Sequence, residues 1–237
     1  MSNTKSRRKG LVAAQREADR RRRLMLVSVA VGVLVLFAAV VGFGLYRGQQ
    51  GPTSAGPVPP GATAQGVLVG NPDAPVKIDV YEDFQCPICK QFEQITGATI
   101  DQMIRAGTIH VVYHPLAFLN RMSSTNYSTR SSSAAGCAAA DGVYPKFATQ
   151  LFIQQPPEGG NGLPSETLIS IGRAAGAGPG FAACVRGDTY AGWSAQLTES
   201  ASRDGVTGTP TVLVNGHQVA DLNPDGLKAA VAAAQPR

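Results

Sequence analysis

Hydrophobic spacing changes several times along this chain, and each change marks a boundary. Leu24 to Leu45 is a run of 22 residues without a charge, closed by Tyr46 and Arg47. Wound as a helix it would rise about 33 Å, enough to cross the hydrocarbon core of a bilayer. Residues 46–65 then lose all periodicity and fill with Gly, Pro, Ala, Thr and Gln, which reads as a flexible or semi-extended tether. Past Gly66 a period of two sets in. Val67-Leu68-Val69 reads as a short edge strand, ended by the turn Asn71-Pro72-Asp73-Ala74-Pro75, and Val76 to Tyr81 alternates as a second strand. Lys90 to Arg105 shifts to a helical period. Cys89, Phe92, Thr96, Ile100 and Met103 fall near one face, with Ile95 and Thr99 beside it. Ala106-Gly107 stops the helix, and Ile109 to His114 is strand-like again. A β–α–β unit of this kind makes the two strands parallel.

Residues 123–204 have helical texture throughout. Ala134–Ala140, Tyr144–Ile153, Ser165–Ala175, Gly180–Arg186 and Tyr190–Ser202 are the candidate helices, some separated by Gly/Pro clusters. Strands return at Pro210–Val214 and His217–Ala220 around an Asn215-Gly216 hairpin turn, and Leu227–Ala234 closes the chain as a helix. The expected class is α/β: a two-part sheet interrupted by helices, the order of a thioredoxin fold with an inserted α-helical domain, preceded by one N-terminal transmembrane helix. The expected divisions are a basic tail (1–23), the membrane span (24–45), the tether (46–65), a thioredoxin-like domain (66–122 and 205–237) and the helical insertion (123–204).

Charge sharpens this layout. The chain carries +5 overall, but residues 1–23 hold nine cations against Glu17 and Asp19, so the rest sums to −2. The basic isoelectric point belongs to the tail, and a nucleic-acid role for the folded part loses its support. Cations before an apolar span stay in the cytoplasm. The expectation is a single-pass cell-membrane protein contacting lipid through residues 24–45, its N-terminus cytoplasmic and its folded domain outside. The apolar core exceeds the 7–15 residues usual for a cleaved signal. The nearest small-x-small site, Ala62-Thr63-Ala64, lies far beyond it, so the span reads as an uncleaved anchor.

The chemistry concentrates at Cys86-Pro87-Ile88-Cys89, where a strand passes into a helix. A helix N-terminus presents free N–H groups and a positive dipole end, both of which favour a thiolate, the nucleophile of disulfide exchange. Cys86 is the expected attacking thiol, being the more exposed, and Cys89 the resolving one. Pro87 suits the first helical turn, where a missing N–H is harmless. Zinc would need four ligands, and no second Cys-x-x-Cys is present. His110 and His114 share strand parity but stand about 13 Å apart. No metal is expected.

The two segments Asp83-Phe84-Gln85-Cys86-Pro87-Ile88-Cys89 and Val206-Thr207-Gly208-Thr209-Pro210-Thr211 together resemble the DsbA-like thiol–disulfide oxidoreductases over residues 66–237. The resemblance implies exchange chemistry on exported cysteine-containing proteins, without metal or organic cofactor. It also implies a cis-proline at Pro210 facing the redox pair, with Thr209 before it. Reoxidation would come from a membrane quinone-linked oxidase of the DsbB or vitamin K epoxide reductase type. Two departures stand out. Ile88 replaces the histidine found between the cysteines of strongly oxidising members and cannot donate to a thiolate, so a milder oxidant is expected. Val80 occupies the strand position of the buried acid that moves protons in thioredoxin relatives. Glu82 and Asp83 lie nearer the loop and read as solvated turn carboxylates, with Glu82, or water, left as the candidate for proton transfer to Cys89.

Cys137 and Cys184 remain. With the other two cysteines paired as neighbours, a structural bridge between them is expected. Trp193, Phe147, Phe152, Phe181 and Tyr190 sit in helical patterns and read as core, and His217 reads as surface. Two further functions stay open. One is a reductase or isomerase, disfavoured because Gln85 precedes Cys86 and proline follows it, unlike Trp-Cys-x-Pro-Cys. The other is a non-enzymatic, membrane-anchored peptide-binding module using the groove beside Pro210.

Overall fold

The computed structural model describes residues 56–235. The basic tail, the anchor at residues 24–45 and the first part of the tether lie outside these. Among the described residues no helix is long and apolar enough to cross a membrane.

The first half of the sheet is β1 (Val67–Val69), β2 (Val76–Glu82) and β3 (Ile109–Pro115), with α1 (Pro87–Arg105) crossing from β2 to β3. β4 (Thr211–Val214) and β5 (His217–Gln218) complete it, in the order β1-β3-β2-β4-β5. β2 and β3 run parallel, with Val80 opposite Tyr113; the other pairings are antiparallel. β2 therefore lies at the centre, and all its residues but Lys77 are buried. One consequence is a buried Asp79, which accepts from Lys77 Nζ and pairs with His114 Nε2, each at 3.0 Å; the His114 ring stacks on Tyr81. His110 turns instead to the Ala74 carbonyl. Asn215 and Gly216 both take positive φ, the backbone that a two-residue hairpin turn requires. His217 is exposed.

Between β3 and β4 lie α2 (Tyr127–Ala140), α3 (Tyr144–Ile153), α4 (Ser165–Ala175), α5 (Phe181–Arg186) and α6 (Ala191–Arg203); α7 (Pro224–Ala234) follows the sheet. α2 packs against α3, α4, α5 and α6. It begins seven residues before the expected Ala134. The sequence Tyr-Ser-Thr-Arg-Ser-Ser-Ser hides that start, because serine favours caps and turns over helix interiors. Here close packing overrides propensity: small side chains let neighbouring helices approach, and each buried serine hydroxyl finds a partner. Ser131 donates to Tyr127 O (2.7 Å), Ser132 to Pro115 O (2.6 Å), and Ser133 accepts from Tyr190 N (3.2 Å). Cys137 on α2 is bonded to Cys184 on α5, with Cα atoms 6.0 Å apart.

Trp193, Phe147, Phe152, Phe181 and Tyr190 are all buried. Phe181 lies so close to α4 that a Cβ on Gly172 would come within 2.0 Å of its ring. Gly172→Ala should therefore destabilise by about 1–3 kcal/mol through overpacking. A thermal melt would show this as a loss of about 2–4 °C per kcal/mol.

Three expectations need correction. Ile95 is 46% exposed, because the buried stripe of α1 is the narrow set Cys89, Phe92, Thr96 and Ile100. β5 ends at Gln218, two residues early. Residues 56–65 of the tether are also not loose. Pro59 is buried against Gly136 and Tyr190, Ala62 bridges Val67, and Trp193 Nε1 donates to Thr63 O at 2.9 Å. Apolar contact with the helical block orders a segment whose composition alone signals flexibility.

Candidate active site

β2 ends where Leu116 N donates to Glu82 O at 2.7 Å, and the chain then turns through Asp83-Phe84-Gln85 into α1. Asp83 builds that turn. Its backbone carbonyl accepts from Cys86 N (2.9 Å). Its side chain accepts from Gln85 N (2.9 Å), Ser128 Oγ (2.7 Å) and Leu119 N (2.9 Å). Gln85 Nε2 adds a bond to Leu119 O at 2.7 Å. From the other side Gln155, just past α3, donates through Nε2 to both Phe84 O and Cys86 O, each at 2.9 Å. Lys90 Nζ reaches Ile153 O at 3.3 Å. The redox turn is thus tied at several points to the helical block. No local motif announces Gln155 or Ser128, which meet the turn only through the tertiary fold.

Cys86 is the N-cap of α1, with Pro87 at its first position. Its Sγ lies 3.3 Å from Thr209 O, and the Thr209–Pro210 peptide is cis. The two distant segments meet here. The thiol can donate to that carbonyl. The thiolate is favoured first by the Cys89 thiol hydrogen bond, then by the Cys89 backbone N–H, the Thr209 side chain and the Ile88 N–H; burial opposes them. Their balance lowers the Cys86 pKa from 9.0 to about 6. Cys89 is fully buried, and burial pushes its thiol far the other way. Cys86 is less open than expected, only 6% exposed, because it sits between the Pro210 loop and the α1 turn. Pro87 and Ile88 carry the exposure beside it, Ile88 at 58%.

A further correction concerns the carboxylates. Glu82 and Asp83 are both fully buried. β2 extends one residue beyond the expected Tyr81, and alternation puts Glu82 on the face of Val80. That parity was the available signal. Glu82 Oε1 accepts from Tyr144 OH at 3.3 Å, while Oε2 has no partner. Burial holds the Glu82 carboxyl well above the usual range; Glu93 raises it further and Tyr144 opposes. Burial likewise raises Asp83, against its three donors. Glu82 also bears electrostatically on Cys89. Among the described residues no three His, Cys, Asp or Glu side chains form a group able to hold a metal ion.

The thiolate character of Cys86 is directly measurable. Its folded pKa is depressed, so the stability this gives the reduced protein is complete above about 9 and is lost as pH falls through about 6. The ultraviolet thiolate absorbance should titrate near 6 and vanish in Cys86→Ser. A midpoint as low as about 3.5, the value of a strong oxidant, would contradict this electrostatic account.

Residues 62–233 match the family model described as Thioredoxin. The chain belongs to the thioredoxin family. Among solved structures, this thioredoxin-family protein is similar to the disulfide bond oxidoreductase DsbG of Mycobacterium tuberculosis. The two share 30% identity and a TM-score of 0.62, over 79% of this chain and 90% of that one. DsbA of the same organism gives 29% identity and a TM-score of 0.61, over 73% and 89%. MdbA of Corynebacterium diphtheriae, at 22% identity and a TM-score of 0.60 over 77% and 95%, shares the fold. Among curated proteins, the serine/threonine-protein kinase PknE of Mycobacterium tuberculosis is 32% identical over 160 residues, 62% of this chain. The matched part is 28% of the kinase's own length. Within its family the chain is DsbA-like in fold.

Proposed function

We propose that the protein introduces disulfides into exported proteins, with Cys86 as nucleophile and Cys89 as resolving thiol. The observation that carries this reading is the asymmetry of the pair. One sulfur sits at a helix N-terminus with a pKa near 6, and the other is buried and held as a thiol. In the oxidising direction a substrate thiolate attacks Cys86 of the Cys86–Cys89 disulfide, forming a mixed disulfide and expelling the Cys89 thiolate, which takes up a proton. A second substrate thiolate then attacks its own sulfur in the mixed disulfide, releasing oxidised substrate and the Cys86 thiolate. Two electrons pass from substrate to the pair. Buried Glu82 is the proposed donor of the Cys89 proton. Thr209, beside cis-Pro210, offers the backbone edge for the substrate chain. Reoxidation falls to a membrane quinone-linked partner, and residues 24–45 anchor the catalytic domain on the extracytoplasmic side.

A lowered Cys86 pKa stabilises the reduced form and makes the disulfide oxidising; Ile88 limits how far. Equilibration with glutathione should place the potential above that of thioredoxin and below the strongest oxidants, between about −270 and −120 mV. A value at or below about −270 mV would favour the reductase reading instead.

A further inference from the structure

Beneath α1, on the side facing α3, is a cavity of about 310 Å³. Glu82, Tyr113, Tyr144, Ala148 and Phe152 are its buried residues, and Glu93 lines one wall. Two carboxylate oxygens, Glu82 Oε2 and Glu93 Oε1, are buried there without a hydrogen-bond partner. Small residues keep the space open. Gly97 stands inside α1, where an added Cβ would meet nothing closer than Glu93 Oε2 at 3.5 Å, and Ala98 and Ala148 line the same gap. Glycine costs a helix interior stability relative to alanine, so its place here is not explained by local packing. Exposed Asp101 lies at the mouth.

We infer that this cavity binds a small organic cation, an ammonium or guanidinium head on a short apolar stem. The head supplies the two or more N–H donors that the orphaned carboxylate oxygens need, and the stem lies along the aromatic and alanine walls. The titratable groups around it are Glu93 and Asp101 from α1, Glu82 and Asp83 from the end of β2, Tyr113 from β3 and Tyr144 from α3. No Lys, Arg or His among the described residues lines the cavity, so without a bound cation the pair is neutralised only by taking up protons. An organic cation fits better than a metal ion: two carboxylates among rings and methyl groups leave most of a metal's coordination shell unfilled. The volume matches the lower range of small-molecule sites. Burial pushes the Glu93 carboxyl up to about 7, so a bound cation would hold it ionised and displace its proton.

The inference does not depend on the thiol chemistry, and its test reads binding alone. Calorimetric titration of the reduced protein with n-butylguanidinium should saturate with a Kd of about 1 mM or tighter. Neutral n-butylurea, of similar shape, should bind at least about tenfold more weakly. Glu93→Gln should remove one carboxylate and Ala148→Leu should fill the space; each should weaken the probe by about tenfold or more, with circular dichroism confirming the fold. Competition by a cysteine-free pentapeptide with one central lysine would assign the cation to a client side chain. Binding of the free probe without such competition would assign it to a small solute; either result keeps the site. Absence of saturation, equal binding of the urea, or undiminished affinity in both folded variants would overturn it. The urea comparison uses wild-type protein, so it decides the question even if a variant fails to fold.

Discussion

Cys86→Ser is expected to reduce disulfide exchange to the uncatalysed background. A serine hydroxyl is not ionised near neutral pH, whereas Cys86 is half thiolate at about 6. The turn should persist in this variant: its backbone contacts, Cys86 N to Asp83 O and Cys86 O accepting from Gln155 and Lys90 N, are unchanged, and a serine hydroxyl can still donate to Thr209 O. Loss of activity then reports the thiolate and not the fold. Cys89→Ser should behave differently. Cys86 still attacks, but the intramolecular escape is gone, so a mixed disulfide between Cys86 and the substrate accumulates. Non-reducing electrophoresis after incubation with an oxidised substrate would display that adduct. Unchanged activity in Cys86→Ser would make the thiol chemistry irrelevant and favour the peptide-binding reading.

The second large effect is on stability. Replacing both Cys137 and Cys184 by alanine removes a cross-link between residues 47 apart in sequence. In the chain-entropy model a loop of that length is worth about 4 kcal/mol. With a urea m-value of about 2 kcal/mol/M, the unfolding midpoint should fall by about 2 M. Trp193, fully buried on α6, provides the fluorescence signal. Cys137 lies nine residues along α2 from Ser128, the α2 residue that holds the redox turn, so exchange activity should survive at low temperature. A midpoint shift below about 0.5 M would show that α2 and α5 are held mainly by packing.

Much of the fold is legible in hydrophobic spacing. β2 and β3 alternate, α1 carries its stripe, and Asn215-Gly216 dictates its own turn, because each depends on neighbours a few residues away. The failures have one cause. α2 is a run of serines and alanines that becomes helical only when four other helices pack around it. Residues 56–65 look like a linker until Trp193 and Pro59 bind them down. Glu82 reads as a loop carboxylate until one more rung of β2 turns it inward.

Sequence by itself determined the reactive pair at a helix start, the strand–helix order, the partnership of the two segments around Cys86 and Pro210, and the cysteines left for a bridge. The partnership of the two segments rests on the family resemblance, the others on local geometry and on counting. Tertiary structure decided which groups tune the pair. Gln155, Ser128 and Thr209 approach the redox turn across separations of 69, 45 and 123 residues. Glu82 and Glu93 acquire their chemistry from burial around a shared cavity. Ionisation depends on what surrounds a group in space, and chain order does not carry that information.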